Sequence, residues 1–263
     1  MKKALSLFSI GLLSVALTAC NSTNDAAQAE IESVETQNVS PVEEVEDEVE
    51  VDIEETPEVD TTEASLHLEI QELVLSNPEI FPVQKLTGNG GGSHVFEISS
   101  NGMTAFELEN TNASSNYIVR VEDVETGTDS MSLVNEIGNY SGKAIMQLDE
   151  GEYILQTKSD GDWTVTIHPA YSIEIDESTV WEGVGDSFIG PIVLSDGLYE
   201  LIFSHDGDSN FIARRYDGLG NSIDSLVNEI GPYEGNHITT AYEGMVIYIS
   251  IKADGNWKFE LDQ

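Results

Sequence analysis

The feature that most limits how this chain can fold is a phrase it contains twice. Ser132–Gly138 reads S-L-V-N-E-I-G, and Ser225–Gly231 reads the same seven residues. A tyrosine and a glycine follow each copy at matching offsets: Tyr140 and Gly142, then Tyr233 and Gly235. Around the phrase the two halves match from end to end. Gly88 and Gly90 answer to Gly183 and Gly185, and Gly102 to Gly197. Ser115-Asn116-Tyr117-Ile118 answers to Ser209-Asn210-Phe211-Ile212. Asp160-Gly161-Asp162-Trp163 answers to Asp254-Gly255-Asn256-Trp257, with the two tryptophans 94 residues apart. Self-similarity at a fixed period marks a duplicated structural unit. Any fold proposed for one half must therefore also suit the other.

The period of the apolar residues inside each unit is two. In W-T-V-T-I, Trp163, Val165 and Ile167 point one way, with Thr164 and Thr166 opposite. In W-K-F-E-L, Trp257, Phe259 and Leu261 share a face, with Lys258 and Glu260 opposite. That alternation marks half-buried antiparallel strands, and it predicts that both tryptophans belong to a core. Asp160-Gly161 and Asp254-Gly255 suit two-residue hairpin turns, since glycine accepts positive φ. Ser195-Asp196-Gly197 and Asp217-Gly218 are similar turn signals. The expected architecture is all-β: two tandem antiparallel, jelly-roll-like β-sandwich repeats, over 85–168 and 178–263, each with seven or eight short strands. The repeated phrase reads as a strand running into a corner, with Leu133, Val134 and Ile137 apolar. There Asn135 and Asn228 are expected to bond nearby backbone groups.

The run G-x-G, S-N-F-I, L-V-N-E-I-G-P-Y-x-G and A-D-G-x-W resembles a small repeat of bacterial secreted proteins and lipoproteins that has no established activity. In general shape that repeat is similar to the jelly-roll β-sandwich of bacterial pre-peptidase C-terminal domains. The resemblance covers both halves, and copy two fits it better. Copy one departs at Asn112–Ser115, where copy two has Asp206-Gly207-Asp208-Ser209. It implies an accessory or binding module and carries no catalytic residue over.

The N-terminal part gives an address. The chain opens M-K-K, runs apolar from Ala4 to Ala19, and reaches Leu17-Thr18-Ala19-Cys20. A basic start and an apolar run too short to span a bilayer comfortably read as a signal peptide over 1–20. L-T-A-C resembles the lipobox of bacterial lipoproteins, whose cysteine is diacylated before cleavage. Cys20 is the only cysteine, so no disulfide can form within the chain, and the expected partner of Cys20 is a lipid bilayer. Losing Lys2 and Lys3 with the leader takes the formal charge from −39 to −41. From Asn21 to Gln84 there is no Lys or Arg. This stretch reads as an acidic disordered tether, with room for a short helix over 65–76. Leu66, Ile70, Leu73 and Val74 would share its apolar face, and Asn77-Pro78 would end it.

The residues that carry chemistry give weaker signals. There is no G-x-S-x-G elbow, and the five histidines, His67, His94, His168, His205 and His237, stand at no metal-ligand spacing. A carboxylate pair for glycoside hydrolysis cannot be singled out among 49 acidic residues. An enzyme is not expected, and neither is any cofactor, apart from a weak Ca²⁺ site at Asp206 and Asp208 in the H-D-G-D-S-N loop. An acidic hairpin turn is the alternative reading of that loop. Tyr140 and Tyr233, in glycine-flanked loops, either stack on a sugar or pack down as lids. With Glu136 and Glu229 beside them, they are the candidate ligand-binding residues. Ten basic residues against 49 acidic ones exclude nucleic acid. The expectation is a membrane-anchored, extracytoplasmic lipoprotein that presents tandem modules for non-enzymatic binding or adhesion, to glycan or envelope components. The alternatives are a surface spacer without a ligand, or an acidic partner or inhibitor of a cationic protein.

Overall fold

Strand alternation plays out as the residue pattern dictates. Trp163, Val165 and Ile167 are buried, and Thr164 and Thr166 are partly open. The computed structural model describes residues 62–127 and 131–263. The expected leader over 1–20, Cys20 and the acidic stretch 21–61 lie outside the described residues. Repeat one contains β1 (Gln84–Asn89), β2 (Gly92–Ile98), β3 (Gly102–Thr111), β4 (Asn116–Asp123), β5 (Met131–Ile137), β6 (Tyr140–Leu148), β7 (Gly151–Lys158) and β8 (Asp162–His168). Repeat two contains β9 (Val180–Val184), β10 (Ser187–Leu194), β11 (Gly197–His205), β12 (Asn210–Asp217), β13 (Ser222–Ile230), β14 (Tyr233–Ala241), β15 (Met245–Lys252) and β16 (Asn256–Asp262).

Each repeat forms two four-stranded antiparallel sheets. The first repeat orders them β1-β8-β3-β6 and β2-β7-β4-β5; the second repeats this as β9-β16-β11-β14 and β10-β15-β12-β13. Strands one-eight-three-six facing two-seven-four-five is the jelly-roll arrangement. Between the sheets of repeat one lie Phe96, Phe106, Leu108, Tyr117, Leu155 and Trp163 among others. Repeat two places Leu201, Phe203, Phe211, Ile249, Trp257 and Phe259 in the same space.

This topology corrects the reading of the Asp-Gly pairs. Within a repeat, the consecutive strands that pair are β4 with β5 and β12 with β13; the other links cross from one sheet to the other. Asp217-Gly218 sits at a true hairpin, whereas Asp160-Gly161, Asp254-Gly255 and Asp196-Gly197 lie at crossovers. Neither Gly161 nor Gly255 has positive φ. They are glycines because another loop passes against them: a Cβ on Gly255 would stand 2.5 Å from the Gly207 nitrogen, and one on Gly161 would strike the Thr111 carbonyl. The aspartates face that same loop. Asp160 accepts from the Ser114 and Ser115 amides at 3.0 Å, and Asp254 accepts from the Ser209 amide at 2.9 Å.

The helix α1 spans Glu63–Ser76, capped by Thr62, whose hydroxyl accepts from the Ser65 amide at 3.2 Å. It is packed on repeat two and on the link between β8 and β9. Gln71 donates to the Ile173 carbonyl at 2.5 Å, and Glu63 accepts from the Gly218 amide at 2.9 Å. The buried face is His67, Gln71 and Val74. Of the apolar face expected from sequence, Val74 is buried while Leu66 and Leu73 are exposed. The surface the helix meets is built by tyrosines, and His67 lies 4.9 Å from the Tyr171 ring. Ring packing, not aliphatic content, thus decides which face turns inward. Among the described residues, no helix is long and apolar enough to cross a membrane.

Candidate functional site

The repeated phrase ends at a corner, and its glycine makes the turn. Gly138 has φ +84° and Gly231 φ +90°, a region that side chains with a Cβ rarely occupy. The Gly138 amide donates to the Ser115 carbonyl at 2.8 Å, and the Gly231 amide to the Ser209 carbonyl at 2.7 Å. Asn135 and Asn228 do not close the corner as expected; both are exposed on the strand. The closing group comes from the third strand of each repeat. Asn110 donates to the Gly138 carbonyl at 2.8 Å, and a ring nitrogen of His205 lies 3.1 Å from the Gly231 carbonyl. Both residues are buried. Position in the facing strand, which one sequence does not display, was the missing signal.

Tyr140 and Tyr233 are not in loops. Each is the first residue of a strand, half-buried, with its ring lying over the glycine two positions on. A Cβ on Gly142 or Gly235 would strike the tyrosine hydroxyl. This explains Y-x-G: residues two apart share a face of a strand, and glycine leaves room for the ring. The Tyr140 ring also lies 5.8 Å from Tyr117, and the Tyr233 ring 5.9 Å from Phe211. Of the two readings open for these residues, the geometry is that of packing.

The first corner does something the second does not. Tyr140 donates to Asp186 Oδ2 at 3.0 Å, and Asp186 lies in the β9–β10 turn of the other repeat. Burial, then the negative charge of Asp186, pushes the Tyr140 phenol well above its ordinary range. Asp186 Oδ1 accepts from the Ala253 amide at 3.0 Å, and the Lys143 amide donates to the Asp186 carbonyl at 3.0 Å. Lys252 Nζ stands 3.1 Å from Glu136 and 3.8 Å from Asp186. Two of the candidate ligand-binding residues, Glu136 and Tyr140, therefore join repeat one to repeat two, which lie in one unit, Thr56–Gln263. Their copies, Glu229 and Tyr233, meet no such neighbour among the described residues, and Glu229 is exposed.

The candidate calcium loop is occupied by the protein's own donors. Asp206 accepts from the Asn256 amide at 2.7 Å and from its side chain at 2.8 Å, and these bonds hold its carboxyl below the ordinary range. Asp208 contributes its amide to Asp254 at 3.2 Å. His205, stacked on Phe211 at 4.6 Å, lies 3.3 Å from Asp254 Oδ1. Among the described residues no group of three or more His, Cys, Asp or Glu is placed to hold a metal ion. The two tryptophans are internal, as expected. Trp163 Nε1 donates to the Gly90 carbonyl and Trp257 Nε1 to the Gly185 carbonyl, both at 2.9 Å, with the rings over Gly88 and Gly183.

No family model matches this chain, and no curated protein matches it. Among solved structures it is similar to the PBSX exported protein XepA, at 5% identity over 68% of this chain and 85% of that one, with a TM-score of 0.24. It is also similar to a GH2 β-galacturonidase from Eisenbergiella tayi, solved with glycerol and with galacturonate. There the identity is 14%, the TM-score 0.21, and the match covers 66% of this chain and 35% of that one. These are distant β-rich neighbours, and nothing of their activity is carried over.

Proposed function

We propose that this chain is an extracytoplasmic lipoprotein, held to a membrane by acylated Cys20, that presents its paired jelly-rolls as a non-enzymatic binding module. The observation that carries the address is the basic start and apolar run ending in L-T-A-C, with Cys20 the only cysteine. An acidic stretch without Lys or Arg follows and gives the module reach. For the ligand, the geometry favours a protein surface over a sugar. The four rings that the sequence singled out for a sugar platform, Tyr140, Tyr233, Trp163 and Trp257, all pack onto glycines of their own repeat. A ligand-free spacer is the second reading, and the same inward packing favours it.

The test is metabolic labelling with radioactive palmitate and membrane fractionation. Wild-type chain should take up label and sediment with membranes. Cys20→Ser should remain unlabelled and unprocessed. Equal labelling of the two would remove the anchor from the account.

A further inference from the structure

Repeat one rests on repeat two through the outer face of β3 and β6. Met103 and Ile145 stand on that face and are covered by Val193, Tyr216, Val246 and Tyr248. The matching registers identify the same two positions in repeat two. Met103 follows Gly102 as Leu198 follows Gly197, and Ile145 lies three residues past Gly142 as Ile238 lies three past Gly235. Met103 is 4% exposed, whereas Leu198 is 59% and Ile238 61% exposed. Glu136 and Tyr140, which complete the first contact, recur beside this face as Glu229 and Tyr233.

The opposite end of the pair is built differently. Strand for strand, Val193, Tyr216 and Val246 correspond to Glu97, Glu122 and Glu152 in repeat one. Tyr248 corresponds to Ile154, so three carboxylates surround Ile154 and Val95 at that end. In stacked repeats a polar face caps a terminus; at the other end Leu198 and Ile238 stand open beside Glu200, which replaces the buried Ala105 of repeat one, and exposed aliphatic groups with a charged neighbour mark an interaction surface.

We propose that the β11–β14 face of repeat two, with Leu198, Ile238, Glu229 and Tyr233, is a docking surface for another protein domain. The inter-repeat contact is its template. The partner's face would carry an aliphatic and aromatic patch flanked by a lysine and an aspartate-bearing turn, as Val246, Tyr248, Lys252 and Asp186 do here. A second copy of this chain offers no such face: on repeat two it is covered, and on repeat one Glu97, Glu122 and Glu152 take its place and would set carboxylates against Leu198 and Ile238. This deepens the reading of the chain as a binding module and rests on it.

The experiment converts repeat one into an acceptor and uses the full chain in detergent, with native mass spectrometry counting chains per complex. Gly91→Asp, Glu97→Val, Glu122→Tyr and Glu152→Val supply the missing groups, and Lys158 already stands where Lys252 does. Wild type should remain single. The fourfold variant should form dimers and longer assemblies, and adding Leu198→Glu with Ile238→Glu should return it to single chains. A fourfold variant that melts cooperatively yet stays single would overturn the proposal. So would wild-type dimers dispersed by Ile238→Glu, which would make a second copy the occupant. If the fourfold variant does not melt cooperatively, Glu97→Val with Glu152→Val, both at exposed positions, carries the same outcomes. The same spectra weigh the lipid on Cys20, so a missing acyl mass would count against the anchor and leave the docking result standing.

Discussion

Trp163 and Trp257 each fill a core, sit on a glycine and donate to a backbone carbonyl, so replacing them removes several terms at once. A large aromatic→Ala change in a core costs about 3–5 kcal/mol, comparable to the stability of a small domain. Trp163→Ala should unfold repeat one, and Trp257→Ala repeat two, in thermal melts followed by tyrosine and remaining tryptophan signals. An unchanged melt would place these rings at the surface. Gly142→Ala and Gly235→Ala test the tyrosine seat. Each forces the ring off its glycine, at about 1–3 kcal/mol for overpacking. Only Gly142→Ala should also weaken the contact between repeats, since only Tyr140 reaches Asp186. Equal loss of that contact in both variants would contradict the seat. At this scale the sequence was legible wherever a residue's role lies along its own strand. Trp163, Val165 and Ile167 share a face because of their spacing alone. Asn110 and His205 were not legible, because they act on a glycine 26 to 28 residues away.

At the scale of elements, the strands were readable and their connections were not. Alternation identifies a half-buried strand but does not say which sheet the next strand joins. In a jelly-roll most links cross between sheets, so Asp160-Gly161 and Asp254-Gly255 resemble hairpin turns while sitting at corners. The helix shows the same limit: its leucines were the obvious apolar face, yet Tyr171, in the link between the repeats, and Tyr248 of repeat two receive His67 instead. Burial holds the His67 imidazole below its ordinary value of 6.5, with Glu63 pulling the other way. A histidine so depressed binds fewer protons docked than released. Its contribution to docking is therefore fully present above about pH 6.5 and is lost as pH falls through the lowered docked value. Hydrogen exchange at the Gln71 and Val74 amides should accelerate between pH 7.5 and pH 5, once corrected for intrinsic rates, without loss of protection in β15. His67→Leu should flatten that dependence. A helix whose protection is the same at both pH values in wild type would show that His67 does not govern docking.

At the scale of the described chain, two copies of one fold are joined by a contact that only one copy makes. The repeated phrase announced the duplication and the sandwich class. It did not announce that Glu136 and Tyr140 would meet Asp186 and Lys252, because the interface pairs different parts of the two copies. Asp186 corresponds to Gly91 in repeat one, so the self-comparison that reveals the fold hides the group that makes the junction. Asp186→Ala should release the Tyr140 hydroxyl and the Ala253 amide together. Calorimetry is expected to show coupled transitions for wild type and separate melting of the two repeats for the variant. The most direct test of the junction is hydrogen exchange at the Lys143 amide. Lys143 lies in β6, an edge strand, and its N–H points away from β3 to the Asp186 carbonyl. Among the described residues, no partner within its own repeat protects it. If the repeats are joined as described, this amide exchanges slowly in the intact chain, with protection approaching that of the core strands. Exchange at the rate of a free edge, while β3 and β8 stay protected, would mean that the two jelly-rolls do not dock.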